Sequence, residues 1–147
     1  MEEEPWSMTL VDVASALSSV PLFSGFSQKQ LKKVAESGEE RRYRTGTTIM
    51  EEKTKGAGLY MVLHGNVEVR KGTKVLARLS KGQFFGDMSL IDEQPRSANV
   101  VAVQPTECFT LSPRDFYALT RKHPELLLLM LKEITKRLRL AQSSPVS

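Results

Sequence analysis

Leu59-Tyr60-Met61-Val62-Leu63-His64-Gly65-Asn66-Val67-Glu68-Val69-Arg70 is two short runs of aliphatic, aromatic and β-branched residues parted by a Gly-Asn turn. Runs of this composition, bounded by residues that tolerate unusual backbone angles, fit strands. Runs of the same kind recur on both sides, at residues 41–44, 47–50, 75–79, 98–103 and 108–111, with Gly, Lys and Asn between them. Lys71-Gly72 supplies a second good turn. Short strands at such spacing argue for an antiparallel sandwich or barrel.

Helices are expected at both ends of this β region. Residues 10–18 read as a short amphipathic helix that stops near Pro21. Ser27 can cap a second helix over 28–37, with Leu31, Val34 and Ala35 turned inward. Beyond the strands, Ser112-Pro113-Arg114-Asp115 places a capping hydroxyl before a proline at the first helical position. The helix it opens carries Phe116, Tyr117 and Leu119 and ends before Pro124. A last helix is expected over 124–142, where Leu127, Leu131, Ile134, Leu138 and Ala141 fall at alternating steps of four and three. That is an a/d stripe, and Leu126, Leu128, Leu129 and Met130 make the first two turns apolar nearly all round. The stripe can pack on the barrel of its own chain or pair two subunits.

The stretch richest in chemistry is Phe84-Phe85-Gly86-Asp87-Met88-Ser89-Leu90-Ile91-Asp92-Glu93-Gln94-Pro95-Arg96-Ser97-Ala98. Gly86 stands where a one-turn helix can begin, a carboxylate follows it, and an Arg-Ser pair comes nine residues after that carboxylate. Free N–H groups and a partial positive charge at a helix start suit a phosphate. An arginine facing them adds a planar fork of donors. An ionised carboxylate only accepts hydrogen bonds, so Asp87 suits a sugar hydroxyl. Phosphate and ribose held in one loop describe a nucleotide site.

The stretch resembles the phosphate-binding cassette of the cyclic-nucleotide-binding domain family, which includes catabolite activator proteins, cAMP-dependent protein kinase regulatory subunits and cyclic-nucleotide-gated channels. The residues that carry the likeness are Phe85-Gly86-Asp87-Met88-Ser89-Leu90 and Pro95-Arg96-Ser97-Ala98. Val20-Pro21-Leu22-Phe23-Ser24-Gly25-Phe26 is similar to the family's opening segment, and Tyr43-Arg44-Thr45-Gly46-Thr47-Thr48-Ile49 to its first hairpin. The Leu59 to Val69 stretch matches its third and fourth strands, so the likeness covers roughly residues 18–141. The resemblance implies a jelly-roll β-barrel with N-terminal helices and two C-terminal helices. It implies that Arg96 pairs with a cyclic phosphate, that backbone N–H groups near Gly86, Met88 and Ala98 and the Ser97 hydroxyl assist it, and that Asp87 holds the ribose. It also implies that Phe85 and Leu90 pack beneath the cassette and pass its movement to the helix starting at Ser112, and that the last helix covers the base. Thr135 and Arg137 are the candidates for base contact by position alone. Bacterial cAMP receptors of the family carry Ser at the Ser97 position, which favours cAMP over cGMP as ligand.

Two positions depart from the family pattern. Asp87 stands where the family carries Glu, one methylene longer, which shortens the reach to the sugar. Lys53 stands where the family carries a glycine in the turn after the second strand, which bears on loop shape. The resemblance therefore yields a cAMP-binding sensor module that acts through an effector protein, on its own or as part of a longer chain. A module that keeps the fold and has lost its ligand is the alternative, for which the Glu-to-Asp change speaks.

Composition sets wider bounds. At 147 residues the chain is expected to be one domain, residues 10–142, with tails at 1–9 and 143–147. The single cysteine, Cys108, cannot close an internal disulfide and lies in an apolar run, so it is expected to be a buried small hydrophobe in a reducing compartment. The longest apolar run, residues 126–131, falls far short of the ~20 residues that span a bilayer. Met1-Glu2-Glu3-Glu4-Pro5 is acidic rather than a charged-then-apolar leader, and a cytoplasmic location is expected. The net charge of +4 gathers at Lys32-Lys33, Arg41-Arg42-Tyr43-Arg44 and residues 132–139, which read as solvated faces rather than a nucleic-acid surface. His64 and His123 are the only histidines, too few for a cupin-like metal site, and no nucleophile motif appears. Asp92 and Glu93 read as loop carboxylates. No enzyme activity, metal or cofactor is expected, the ligand aside.

Overall fold

Capping chemistry starts the helices. Thr9 and Ser27 each accept a hydrogen bond from the third helical N–H, and the side chains of Asp12 and Gln30 accept in return, closing two capping boxes. They open α1 (Leu10–Leu17) and α2 (Gln28–Ser37), with the 3₁₀ turn Pro21–Phe23 between them. Leu31, Val34 and Ala35 of α2 point inward as expected. The computed structural model describes residues 9–54, 57–92 and 96–142. The rest of the two expected tails, Glu93 and Pro95 lie outside the described residues.

Eight strands follow among the described residues. They are β1 (Glu39–Tyr43), β2 (Thr48–Met50), β3 (Leu59–His64), β4 (Val67–Lys71), β5 (Lys74–Leu79), β6 (Phe84–Phe85), β7 (Asn99–Ala102) and β8 (Thr106–Leu111). They form two four-stranded antiparallel sheets, ordered β1-β8-β3-β6 and β2-β7-β4-β5. The mainly β reading with flanking helices stands. The two-residue β6 is new, being too short to show as a run.

The pairing corrects one expectation. Residues 43–49 form no hairpin: β1 pairs with β8 and β2 with β7, so this segment crosses from one sheet to the other. The Gly46 N–H donates to the Ala102 carbonyl at 2.7 Å, tying the crossing to β7 rather than to β1. Gly65-Asn66 likewise turns the chain between sheets, since β3 and β4 share no ladder. At Gly65, with φ +98, a side chain would collide with Pro105 and Thr106, so the corner requires glycine. Only the Lys71-Gly72 signal marks a hairpin, with Lys71 opposite Lys74.

Two apolar clusters lie on opposite faces of the first sheet. Leu59, Met61, Leu63, Phe109 and Leu111 pack against α1, α2 and α3, with Phe23 and Phe116 among their neighbours. Tyr60, Val62 and Cys108 face the barrel interior with Met50, Val67 and Val100. Cys108 is buried there as expected, and burial pushes its thiol up to about 12.

The C-terminal helices are α3 (Pro113–Lys122), capped by Ser112, and α4 (Glu125–Gln142). Leu126 and Met130 of α4 are buried, and Leu129 packs beside them close to Gly25. The reading that the a/d stripe packs on its own barrel is wrong: Leu127, Leu131, Ile134 and Leu138 are exposed. The packed positions lie one step round the helix, and beyond the second turn most of the helix surface is open.

Candidate functional site

Gly86 adopts φ +79, a left-handed conformation open to glycine at little cost, and from it the chain enters the 3₁₀ turn Asp87–Leu90. A Cβ at Gly86 would collide with the Gly58 carbonyl and stand 3.0 Å from Nη1 of Arg96. The glycine is thus required twice, by its backbone angle and by the guanidinium lying over it. Nine residues separate Gly86 from Arg96 in the sequence; the fold brings them into contact.

Arg96 is held by its backbone. Its N–H donates to the Thr54 carbonyl and its own carbonyl accepts from the Lys53 N–H, both at 2.8 Å. Next to it, Asn99 Oδ1 accepts from the Glu52 N–H at 2.6 Å. Lys53 takes φ +71, a left-handed angle rare for a lysine, so the departure noted in the sequence falls on the backbone angle that glycine suits. The Arg96 side chain donates through Nη2 to the Gly58 carbonyl at 3.3 Å, while its Nε is buried with no partner. Burial presses the guanidinium below its ordinary value and the nearby Tyr60 opposes this, yet an arginine stays cationic. A half-buried cation with an unused donor is poised for an anion.

The other expected residues sit around this pair. Asp87 is half-buried, the Met88 side chain points outward at 60% exposure, Ser97 is exposed and Ala98 half-buried. Leu90 is buried in the helix-side core and Phe85 is half-buried against the barrel interior. Thr135 donates to the Leu131 carbonyl and Arg137 pairs with Glu133 at 3.6 Å. Asp92 lies exposed in the loop, and His64 is exposed. His123 faces Glu125 at 3.4 Å.

Three residues packed around this constellation were not singled out by sequence reading. Tyr60 stacks on Phe85 with ring centroids 5.0 Å apart and planes 5° from parallel, giving an aromatic wall near Arg96. Ser89, 5% exposed, accepts from the Gly58 N–H at 2.9 Å and donates to the Gly86 carbonyl at 2.8 Å. Gly58 itself takes φ +102 and lies against Leu111 and Pro113. A small polar residue inside an apolar cassette was a usable signal for Ser89; nothing in the sequence marks Gly58. No described helix is long and apolar enough to cross a membrane.

The family model described as the cyclic nucleotide-binding domain matches residues 40–123. The chain is 33% identical over 112 residues to a cAMP-dependent protein kinase regulatory subunit of Mycosarcoma maydis, a match covering 70% of this chain and 21% of that one. It is 36% identical over 109 residues to the cyclic AMP receptor protein of Thermus thermophilus, covering 71% and 50%. A cGMP-dependent protein kinase of Drosophila melanogaster is 38% identical over 111 residues, covering 70% and 14%. The chain therefore spans half the length of these relatives or less. The N-terminal domain of a Streptomyces coelicolor transcriptional regulator superposes with a TM-score of 0.80 at 26% identity, covering 86% of this chain and 94% of that one. The Thermus thermophilus catabolite activator protein gives 0.65 at 35% identity, covering 82% and 59%. With the family match running through the cassette and across more than half of its residues, this chain belongs to the cyclic nucleotide-binding domain family.

Proposed function

We propose that this module binds cAMP in preference to cGMP and passes its occupancy to an effector through α4. The observation that carries the reading is the Arg96 guanidinium seated over Gly86 with a buried, unpartnered Nε. In the proposed complex a phosphate oxygen takes that donor, and the amides of the cassette turn and the Ser97 hydroxyl bind the remaining oxygens. Gly86, Met88 and Ala98 contribute backbone, and Asp87 accepts from a ribose hydroxyl. No metal or other cofactor is needed, because recognition uses hydrogen bonds and charge alone. Of the three curated relatives above, two are named for cAMP and one for cGMP; Ser97, through the family likeness, favours cAMP.

Titration calorimetry with cAMP and cGMP tests this. Saturable binding is expected, tighter for cAMP, with Arg96→Ala losing about 1.5–3 kcal/mol, or about ten- to a hundredfold in affinity. Asp87→Glu is expected to hold or tighten binding, and a large loss would remove Asp87 as the ribose partner. No heat from the folded wild type with either nucleotide leaves a ligand-free interaction module, the alternative.

The exposed stripe of α4 supports a homodimer as part of this reading. Leu131 and Leu138 at a, with Leu127, Ile134 and Ala141 at d, have as flanking positions Leu128, Met130, Thr135, Arg137 and Gln142. The one charge among these, Arg137, pairs with Glu133, so a second copy meets no row of like charges. Leu131→Lys with Leu138→Lys is expected to turn a dimer into a monomer in sedimentation while the circular dichroism spectrum stays that of the folded chain. A wild type that sediments as a monomer at every concentration removes the seam.

A further inference from the structure

In space a single residue, Gly58, bridges Arg96 and the start of α3. Arg96 Nη2 donates to the Gly58 carbonyl at 3.3 Å. On its other side Gly58 touches Leu111 and Pro113, so closely that a Cβ would collide with the Leu111 carbonyl and stand 3.1 Å from the proline ring. Leu111 ends β8, Ser112 caps α3, and Pro113 is its first residue. One glycine thus touches the cassette arginine and the foot of α3 at once.

Ser89 fixes that glycine. Its hydroxyl accepts from the Gly58 N–H at 2.9 Å and donates to the Gly86 carbonyl at 2.8 Å, in a position 5% exposed. In so dry a setting each bond is felt strongly, because an unmade one leaves a buried donor unsatisfied. The φ of +102 at Gly58 lies in a range where glycine turns freely and other residues do not.

We propose that Ser89 and Gly58 are a positioning pair that couples Arg96 to the start of α3. The coupling rests on the cyclic-nucleotide reading above. When a phosphate draws Nη2 away, the Gly58 carbonyl loses its donor while its N–H remains anchored on Ser89. The peptide on the carbonyl side of Gly58 then turns. Because Gly58 is packed against Leu111 and Pro113, the turn is delivered to the residues that cap α3. The ligand acts through an exchange of one hydrogen bond rather than through a long path.

Hydrogen exchange on the whole chain, with and without saturating cAMP, tests the coupling, alongside calorimetry. In the wild type, cAMP is expected to change exchange at residues 111–116 by about threefold or more. In Ser89→Ala, affinity is expected to stay within about fivefold of wild type, while the change at 111–116 falls below about half. Protection of the cassette backbone by ligand persists in both. Ser89→Ala with an undiminished response at 111–116 overturns the coupling, as does a wild type that binds cAMP without any change there. A Ser89→Ala protein that is folded but no longer binds makes Ser89 part of the pocket and overturns it too. A wild type that takes up neither cAMP nor cGMP overturns the binding reading instead.

Discussion

The two faces of the β1-β8-β3-β6 sheet are made from alternate residues of the same strands, yet they differ in character. On the helix side Leu59, Met61, Leu63, Phe109 and Leu111 are sealed from water. On the barrel side Tyr60, Val62 and Cys108 are buried too, but their neighbours Tyr43 and Phe85 are half-open, and Arg96 lies beside Tyr60. A strand's two-residue period lets one set of strands hold the fold with one face and line the proposed nucleotide site with the other. Changes on the first face should therefore move stability, and changes on the second should move binding.

Phe109→Ala should show the largest effect. The Phe109 ring fills the space over Gly38, where a Cβ would collide with it, and its loss should cost about 3–5 kcal/mol of unfolding free energy. Denaturant titration measures it, and a cost under about 1 kcal/mol would mean that the helix face is not the structural one.

Arg96→Ala comes next and should act in the opposite sense, losing nucleotide affinity while Tm holds or rises. Removing a half-buried cation with an unpartnered Nε takes away a desolvation cost that its 3.3 Å bond to the Gly58 carbonyl does not offset. A collapsed Tm would place Arg96 on the structural side of the comparison.

Lys53→Gly should be stabilising. Relief of the left-handed angle is worth about 1–2 kcal/mol and glycine's extra freedom in the unfolded chain takes back about 0.5–1. The gain should appear in thermal unfolding with the Lys53-to-Arg96 backbone bond kept, so affinity should not fall. A loss of affinity would show that the lysine side chain serves the barrel side.

Glu40→Gln should have the smallest effect and depends on pH. Burial first, then the Glu107 charge, raise the Glu40 carboxyl above its ordinary 4.5, against the pull of Arg42. Folding thus favours the protonated form. The stabilisation this gives is full below the unfolded value and is lost as pH rises through the folded one. Glu40→Gln should melt slightly higher than wild type near pH ~7, with the difference vanishing toward pH ~4. An equal gap at both pH values would contradict the assignment.

Much of this architecture was legible in the residues. Thr9 was overlooked, but Ser27 and Ser112 marked helix starts because capping is local chemistry that a hydroxyl and its third neighbour settle between them. The strand runs were legible because burial on a pleated surface selects β-branched and aromatic residues. Which strands pair was not: residues 43–49 look like a hairpin, and the pairing of β1 with β8 and β2 with β7 shows a crossing between sheets. At the site, Gly86, Asp87, Arg96 and Ser97 were legible as a motif, whereas Tyr60, Gly58 and Ser89 matter through contacts with segments distant in the chain.

Residue order alone specifies what depends on neighbours in the chain. That includes the helix caps, the alternation along each strand, the glycine that lets the cassette turn, and the heptad spacing of α4. Folding in three dimensions decides what depends on distance across the chain. It sets the guanidinium of Arg96 over Gly86, divides eight strands between two sheets, and leaves the α4 stripe in water while Leu126 and Met130 are buried. The reason is physical: capping and pleating are settled within a few residues, but burial is shared among all the segments that meet in the core.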